Sequence, residues 1–102
     1  MTNSKKVALV TGASVGIGRA VATELAANGY NLILMARRAS KLTELAAQLK
    51  DEYSTQSHII AVDVNEHEKV VTELAARPAE FVHIDVLVNN AGLALGTEPA
   101  QS

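Results

Sequence analysis

The chain has no cysteine, no tryptophan, two prolines, two tyrosines and one phenylalanine in 102 residues. Without cysteine there is no disulfide framework and no thiolate metal site. The histidines, His58, His67 and His83, fall in different expected elements without ligand spacing, so no metal site is expected. Nine basic and eleven acidic residues are interspersed to a net charge of −2, which provides no basic face for nucleic acid. No segment approaches the roughly 18 consecutive apolar residues of a membrane span. Lys5-Lys6 before the apolar run 7–10 imitates a signal sequence, but Thr11-Gly12 ends that run short of the ~7–15 residues an h-region needs. These absences together lead to the expectation of a cytoplasmic protein.

What is present is an ordinary globular composition, 48% apolar and 20% charged, which suits one folded α/β domain over 1–102 and argues against disorder. Two kinds of segment alternate. Short aliphatic runs at 7–10, 31–35, 58–62 and 84–88 read as strands. They are nearly continuous rather than alternating, as in strands covered on both faces. Between them lie three helical patterns. The first, 16–28, places Ile17, Val21 and Leu25 on one stripe, with Gly29 as its stop. The second is expected to start at Ser40 as N-cap, with Leu42, Leu45, Ala46 and Leu49 inward. The third is expected from Asn65, with Glu68 completing a capping box, a stripe of Val70, Val71 and Leu74, and Pro78 closing it.

The order β-α-β-α-β-α-β predicts right-handed crossovers in a parallel, doubly wound sheet of strand order 3-2-1-4. The fourth strand would be an open edge, and the third helix would stand alone on its face. An apolar edge is normally paired or covered, so the chain reads as the front part of a larger domain.

The most informative stretch is Thr11-Gly12-Ala13-Ser14-Val15-Gly16-Ile17-Gly18, between the first strand and the first helix. A glycine-rich turn there gathers backbone N–H groups and a helix N-terminus where an anion, a diphosphate first of all, can dock. The G-x-x-x-G-x-G spacing differs from the G-x-G-x-x-G dinucleotide fingerprint. Its physics is similar: Gly12 for the tight turn, Gly16 for close backbone approach, Gly18 for helix–strand packing. A nucleoside triphosphate loop needs Lys-Ser/Thr after the last glycine, and Arg19-Ala20 stand there instead. The bland alternative is that the glycines merely end a strand.

At the end of the second strand, Met35-Ala36-Arg37-Arg38 places Ala36 where an acid would bind the ribose hydroxyls of NAD. An acid would repel a 2′-phosphate, whereas guanidinium binds it with paired hydrogen bonds. The choice is therefore NADP, with Ser14 as an additional hydroxyl donor; the competing reading is two solvated arginines. Asp63, before Val64, can cap its loop or accept from an adenine amino group. Asn89 and Asn90 leave a buried strand and need partners for their amides.

Together these residues resemble the short-chain dehydrogenase/reductase family, which is built on a Rossmann-type fold. The matches are Thr11 to Gly18, Asp63-Val64 and Asn89-Asn90-Ala91-Gly92, in order and over nearly the whole chain. The resemblance implies that Gly12, Ala13, Ser14, Val15, Gly16, Ile17 and Gly18 wrap the diphosphate, and that Arg37 and Arg38 take the 2′-phosphate. It implies that Asp63 and Val64 frame the adenine, and that Asn90, Ala91 and Gly92 line the cofactor ribose. Asn89 with Asn90 either ties the fourth strand to its neighbours and sets the cofactor floor or is a simple turn former. Many NADP-preferring relatives carry a basic residue in place of Val15, so the preference rests on the two arginines. The segment from Asn89 to Ala100, with Arg37-Arg38 and Lys41-Leu42, looks like the branch acting on serine and other 3-hydroxy acids.

The family's proton-relay tyrosine, with lysine four residues later, has no counterpart here: Tyr30 is followed by Leu34 and Tyr53 by Ser57. Ser14, Ser40, Ser54 and Ser57 lie in cofactor-loop or surface contexts, so no catalytic residue is assigned. The resemblance implies an oxidoreductase interconverting a secondary alcohol and a carbonyl, homo-oligomeric at full length, of which this is the cofactor-binding part and inactive alone. The alternative is a non-catalytic nucleotide-binding or regulatory module made of a half fold.

Overall fold

A computed structural model describes residues 5–13, 16–63 and 65–89. Four strands, β1 (Val7–Thr11), β2 (Asn31–Ala36), β3 (Ser57–Ala61) and β4 (Val86–Val88), form one sheet in the order β3-β2-β1-β4. Every pairing is parallel. The helices are α1 (Gly16–Ala27), α2 (Ala39–Tyr53) and α3 (His67–Ala75), and a 3-10 turn spans Ala79–Phe81. The expected topology and strand order are those observed.

Strand alternation divides the core in two. On one face Ala8, Val10, Leu32 and Leu34 pack with Ala22 and Ala26 of α1 and Leu42, Leu45 and Leu49 of α2. On the other, Val7, Leu9, Ile33, Met35 and Ile60 pack with Phe81, Val70 and Leu74. Among the described residues, α3 is the one α-helix on this second face. β1 is buried throughout and β2 nearly so, whereas β3 and β4 are only partly covered.

Local signals set most element ends. Gly29 has φ +91, and its N–H donates to Ala26 O while that of Tyr30 reaches back to Leu25 O. This paired pattern is a Schellman ending, and it places glycine where a left-handed residue is needed. α2 ends likewise on Ser54, at φ 58, where a Cβ is unfavourable. Ser54→Gly is expected to raise stability by about 0.5–1 kcal/mol in urea unfolding, since glycine adopts this conformation without strain.

Helix starts differ from expectation. Ser40 lies inside the first turn of α2; Arg38 holds the N-cap position and makes no side-chain cap. The turn from β2 is so short that Arg38 O already accepts the Leu42 N–H, at 3.4 Å. α3 begins at His67 rather than from an Asn65 cap. Asp63 is the reason: its Oδ1 accepts the Asn65 N–H at 2.9 Å and its carbonyl accepts that of Glu66 at 2.8 Å. An Asx turn thus consumes the residues that would have capped the helix. Val71, expected inward, is 66% exposed, while Val70 and Leu74 pack on the sheet.

β4 is shorter than the expected 84–88 because Asp85 replaces ladder geometry with a clamp. Its N–H donates to Val7 O at 2.8 Å, and its Oδ2 accepts the Val7 N–H at 2.9 Å. His83 Nε2 lies 3.0 Å from the other carboxylate oxygen. The Val7 N–H, opposed by desolvation and aided by His83 and Lys6, holds this carboxyl below the usual value of 3.8. A lowered folded pKa means the ionised clamp stabilises the fold above that usual value and is lost as pH falls through the lowered one. The urea-midpoint difference between the natural chain and Asp85→Ala is therefore expected to be present at about pH 6 and to shrink toward about pH 2.

Candidate functional site

Parallel pairing brings the C-terminal ends of all four strands to one edge of the sheet. Thr11 pairs with Met35, Ala36 with Ala61, and Val10 with Val88. The residues that follow each strand are therefore neighbours in register: Gly12 beyond β1, Arg37 beyond β2, Val62 and Asp63 beyond β3, Asn89 beyond β4. Chain order reverses between β1 and β4, because β2 and β3 lie on one side of β1 and β4 on the other. Ligands of open α/β sheets bind in the crevice at such a switch point.

The glycine turn has the backbone that its sequence requires. Gly12 has φ +64 and Gly16 φ +59, values that favour glycine strongly over any residue with a Cβ. A Cβ on Gly16 would meet no heavy atom within 4 Å, so the space over the turn is open. Gly18 is buried inside α1, consistent with close packing of helix on sheet. Ala13 is fully buried and its N–H donates to Met35 O at 3.3 Å, tying the turn to β2. No acid occupies the first turn of α1, so nothing there neutralises the helix's positive end. Beside it Ile17 is 72% exposed, a large apolar side chain at the mouth of the turn.

The arginines divide by engagement. Arg19 Nη2 donates to Gln48 Oε1 at 3.0 Å, linking α1 to α2. Arg37 and Arg38 are exposed, and neither side chain has an ion pair or hydrogen bond among the described residues. Ala36 ends β2, so no carboxylate stands at the end of this strand. The arrangement fits a dinucleotide carrying an additional phosphate on its ribose. Open space and amides lie at the turn, with unpaired cations at the next strand end.

Thr11 was not among the expected site residues, yet it fixes the crevice floor. It is 5% exposed, and its Oγ1 lies 3.1 Å from Asn89 Oδ1 and 3.4 Å from Val88 O. A hydroxyl between strand ends joins β1 to β4 across the switch point. Its sequence signal was a threonine closing an apolar run just before glycine. Asp63 takes the capping role that the sequence left open, with Oδ1 committed to Asn65. Ser14, Val15, Val64, Asn90, Ala91 and Gly92 lie outside the described residues. Among the described residues no group of histidines and acids could hold a metal ion, and no helix is long and apolar enough to cross a membrane.

The short chain dehydrogenase family profile matches residues 6–102. The NADP-dependent 3-hydroxy acid dehydrogenase of Escherichia coli K12 is 43% identical over 94 residues, covering 92% of this chain and 36% of that protein. The serine 3-dehydrogenase of Agrobacterium fabrum is 46% identical over 92 residues, covering 90% of this chain and 35% of the relative. The crystal structure of L-sorbose reductase from Gluconobacter frateurii, complexed with NADPH and L-sorbose, superposes with a TM-score of 0.80 at 40% identity. That match covers 88% of this chain and 34% of the reductase. The chain thus spans about a third of the length of the relatives it matches.

Proposed function

The chain belongs to the short chain dehydrogenase family, and on that premise we propose that residues 1–102 are the dinucleotide-binding part of an NADP-dependent oxidoreductase. The whole enzyme would interconvert a secondary alcohol and a carbonyl, with a 3-hydroxy acid as the favoured substrate. One observation carries the cofactor reading: the open, positive-φ glycine turn and the unpaired Arg37 and Arg38 share one edge of the sheet, with no acid at the end of β2. Two of the relatives named above are a 3-hydroxy acid dehydrogenase and a serine 3-dehydrogenase, which supports the substrate class.

In this reading the amides of the 12–18 turn, other than that of Ala13, which bonds Met35 O, bind the diphosphate at the N-terminus of α1, where the helix dipole favours negative charge. Arg37 and Arg38 hold the 2′-phosphate by charge-assisted hydrogen bonds. Asp63 and Val64 border the adenine, and Asn89 to Gly92 border the nicotinamide-side ribose, with Thr11 holding Asn89 in place. The bound nicotinamide supplies hydride chemistry; the protein must orient the substrate and move the proton. For that proton these 102 residues contain no tyrosine with a lysine four positions on, so the chain alone is proposed to be inactive. Cytoplasmic location and homo-oligomeric assembly of the full-length enzyme belong to the same proposal.

Calorimetric titration tests the reading directly. NADPH is expected to bind more tightly than NADH, and carbonyl-dependent NADPH oxidation by the purified chain is expected to stay at background. Equal affinity for both nucleotides would reject the role of the arginines. Turnover above background would reject the assignment of the proton relay to another part of the enzyme.

A further inference from the structure

The dipeptide that ends α1, Asn28-Gly29, has chemistry of its own. Asn28 is the one asparagine of the sequence that is followed by glycine, and both residues are exposed. In an open chain the Gly29 nitrogen can attack the side-chain carbonyl carbon of Asn28, since glycine has no Cβ to hinder the approach. The new N–C bond closes a cyclic imide, and the Gly29 proton leaves with the side-chain NH2 as ammonia. Water then reopens the ring. Breaking the bond to the side-chain carbon gives aspartate; breaking the bond to the main-chain carbon gives isoaspartate. The sum is amide plus water to carboxylate plus ammonium, with no oxidant or reductant required.

In the fold both reacting groups are engaged. The Gly29 N–H donates to Ala26 O at 3.0 Å, and the Tyr30 N–H beside it to Leu25 O at 3.1 Å. Asn28 Nδ2 donates to Glu24 O at 2.8 Å and lies 3.4 Å from Glu24 Oε2, so the side-chain amide is held against the preceding turn. The ring cannot close until these bonds part. Its product is also disfavoured where it forms. A carboxylate at 28 donates nothing to Glu24 O and faces the Glu24 carboxylate at i,i+4 spacing. It places negative charge at the negative end of the helix dipole, where the last turn of α1 has no basic residue to offset it. Isoaspartate also adds a main-chain carbon, which breaks the spacing of the paired bonds ending the helix. Leu25 and Tyr30, joined by one of those bonds, pack against the core beneath α1 and α2.

We infer that Asn28 is a self-modification site gated by the last turn of α1. It converts to aspartate and isoaspartate only as that turn opens, and the conversion leaves the turn looser than before.

The test follows conversion in the natural chain at mildly alkaline pH, by peptide mapping with isoaspartate detected through enzymatic carboxyl methylation. In unfolding urea Asn28 is expected to convert before any other asparagine, and in the fold at least about tenfold more slowly than in urea. Ala27→Gly, at an exposed position in the last turn, is expected to raise the native rate about two- to fivefold. It should leave the rate in urea unchanged, because glycine weakens the helix and not the open chain. Asn28→Asp is expected to speed amide exchange at Gly29 and Tyr30 about two- to fivefold. Equal rates in the fold and in urea overturn the inference, as does a native rate that Ala27→Gly does not move. So does an Asn28 that stays intact in urea, or unchanged exchange at Gly29 and Tyr30 in Asn28→Asp. No dinucleotide enters these measurements, so failure here leaves the cofactor reading standing.

Discussion

Arg37→Ala lowers affinity for NADPH by about ten- to a hundredfold, while affinity for NADH changes far less; that is the expected outcome of paired calorimetric titrations. The magnitude is that of one charge-assisted hydrogen bond, roughly 1.5–3 kcal/mol, converted to a dissociation constant. Arg37 follows β2 directly and, like Arg38, is exposed and unpaired among the described residues. Truncation therefore removes a ligand contact without breaking an internal one, and the fold should be untouched. Arg38 is the internal comparison, because its backbone holds the N-cap position of α2 while its side chain caps nothing. If NADPH and NADH lose affinity equally in both variants, the guanidinium groups do not read the 2′-phosphate.

A larger effect on stability is expected from Leu34→Ala, about 2–5 kcal/mol in urea unfolding. Leu34 is fully buried in β2, which pairs with β1 on one side and β3 on the other. It faces α1 and α2 in the larger of the two packed clusters. Removing it forfeits transfer energy and leaves a cavity that both helices and two neighbouring strands border. Leu87→Ala is the contrast, with the same chemistry at a 59% exposed position; it should stay within about 0.5 kcal/mol of the natural chain. Comparable losses at both sites would mean that β4 is packed more fully than its exposure indicates.

The strands and the glycine turn were legible because their causes are local, and the strand order because alternating strands and helices join by right-handed crossovers. Aliphatic runs act through burial, Gly12, Gly16 and Gly29 through their positive φ, and Gly18 through close packing of helix on sheet. The starts of α2 and α3 were not legible, because competing side chains decide them. Ser40 and Asn65 are good caps in isolation, but a short turn after β2 and the Asp63 carboxylate claim those positions first. Side-chain contacts, near or far in sequence, were least legible. Arg77 donates from Nε to Phe81 O at 2.7 Å and from Nη2 to Val82 O at 2.6 Å, and from Nη1 to Leu74 O. It joins the end of α3 to the 3-10 turn; an arginine just before Pro78 was the available hint. Asp85 and Thr11 act across 78 residues of sequence, which no local pattern exposes. In the candidate site, the glycine and arginine positions were proposed from sequence, and Thr11, which bonds Asn89, was not.

That span has a temporal meaning. β2 and β3 lie beside strands that precede them closely, so a three-stranded sheet can assemble while the polypeptide is still emerging from the ribosome. β4 must find β1 after β2 and β3 have been made, and closing so long a loop is entropically slow. Among these four strands the crevice is therefore the last part to take shape. A nascent chain without its switch point lacks the crevice proposed to hold a dinucleotide.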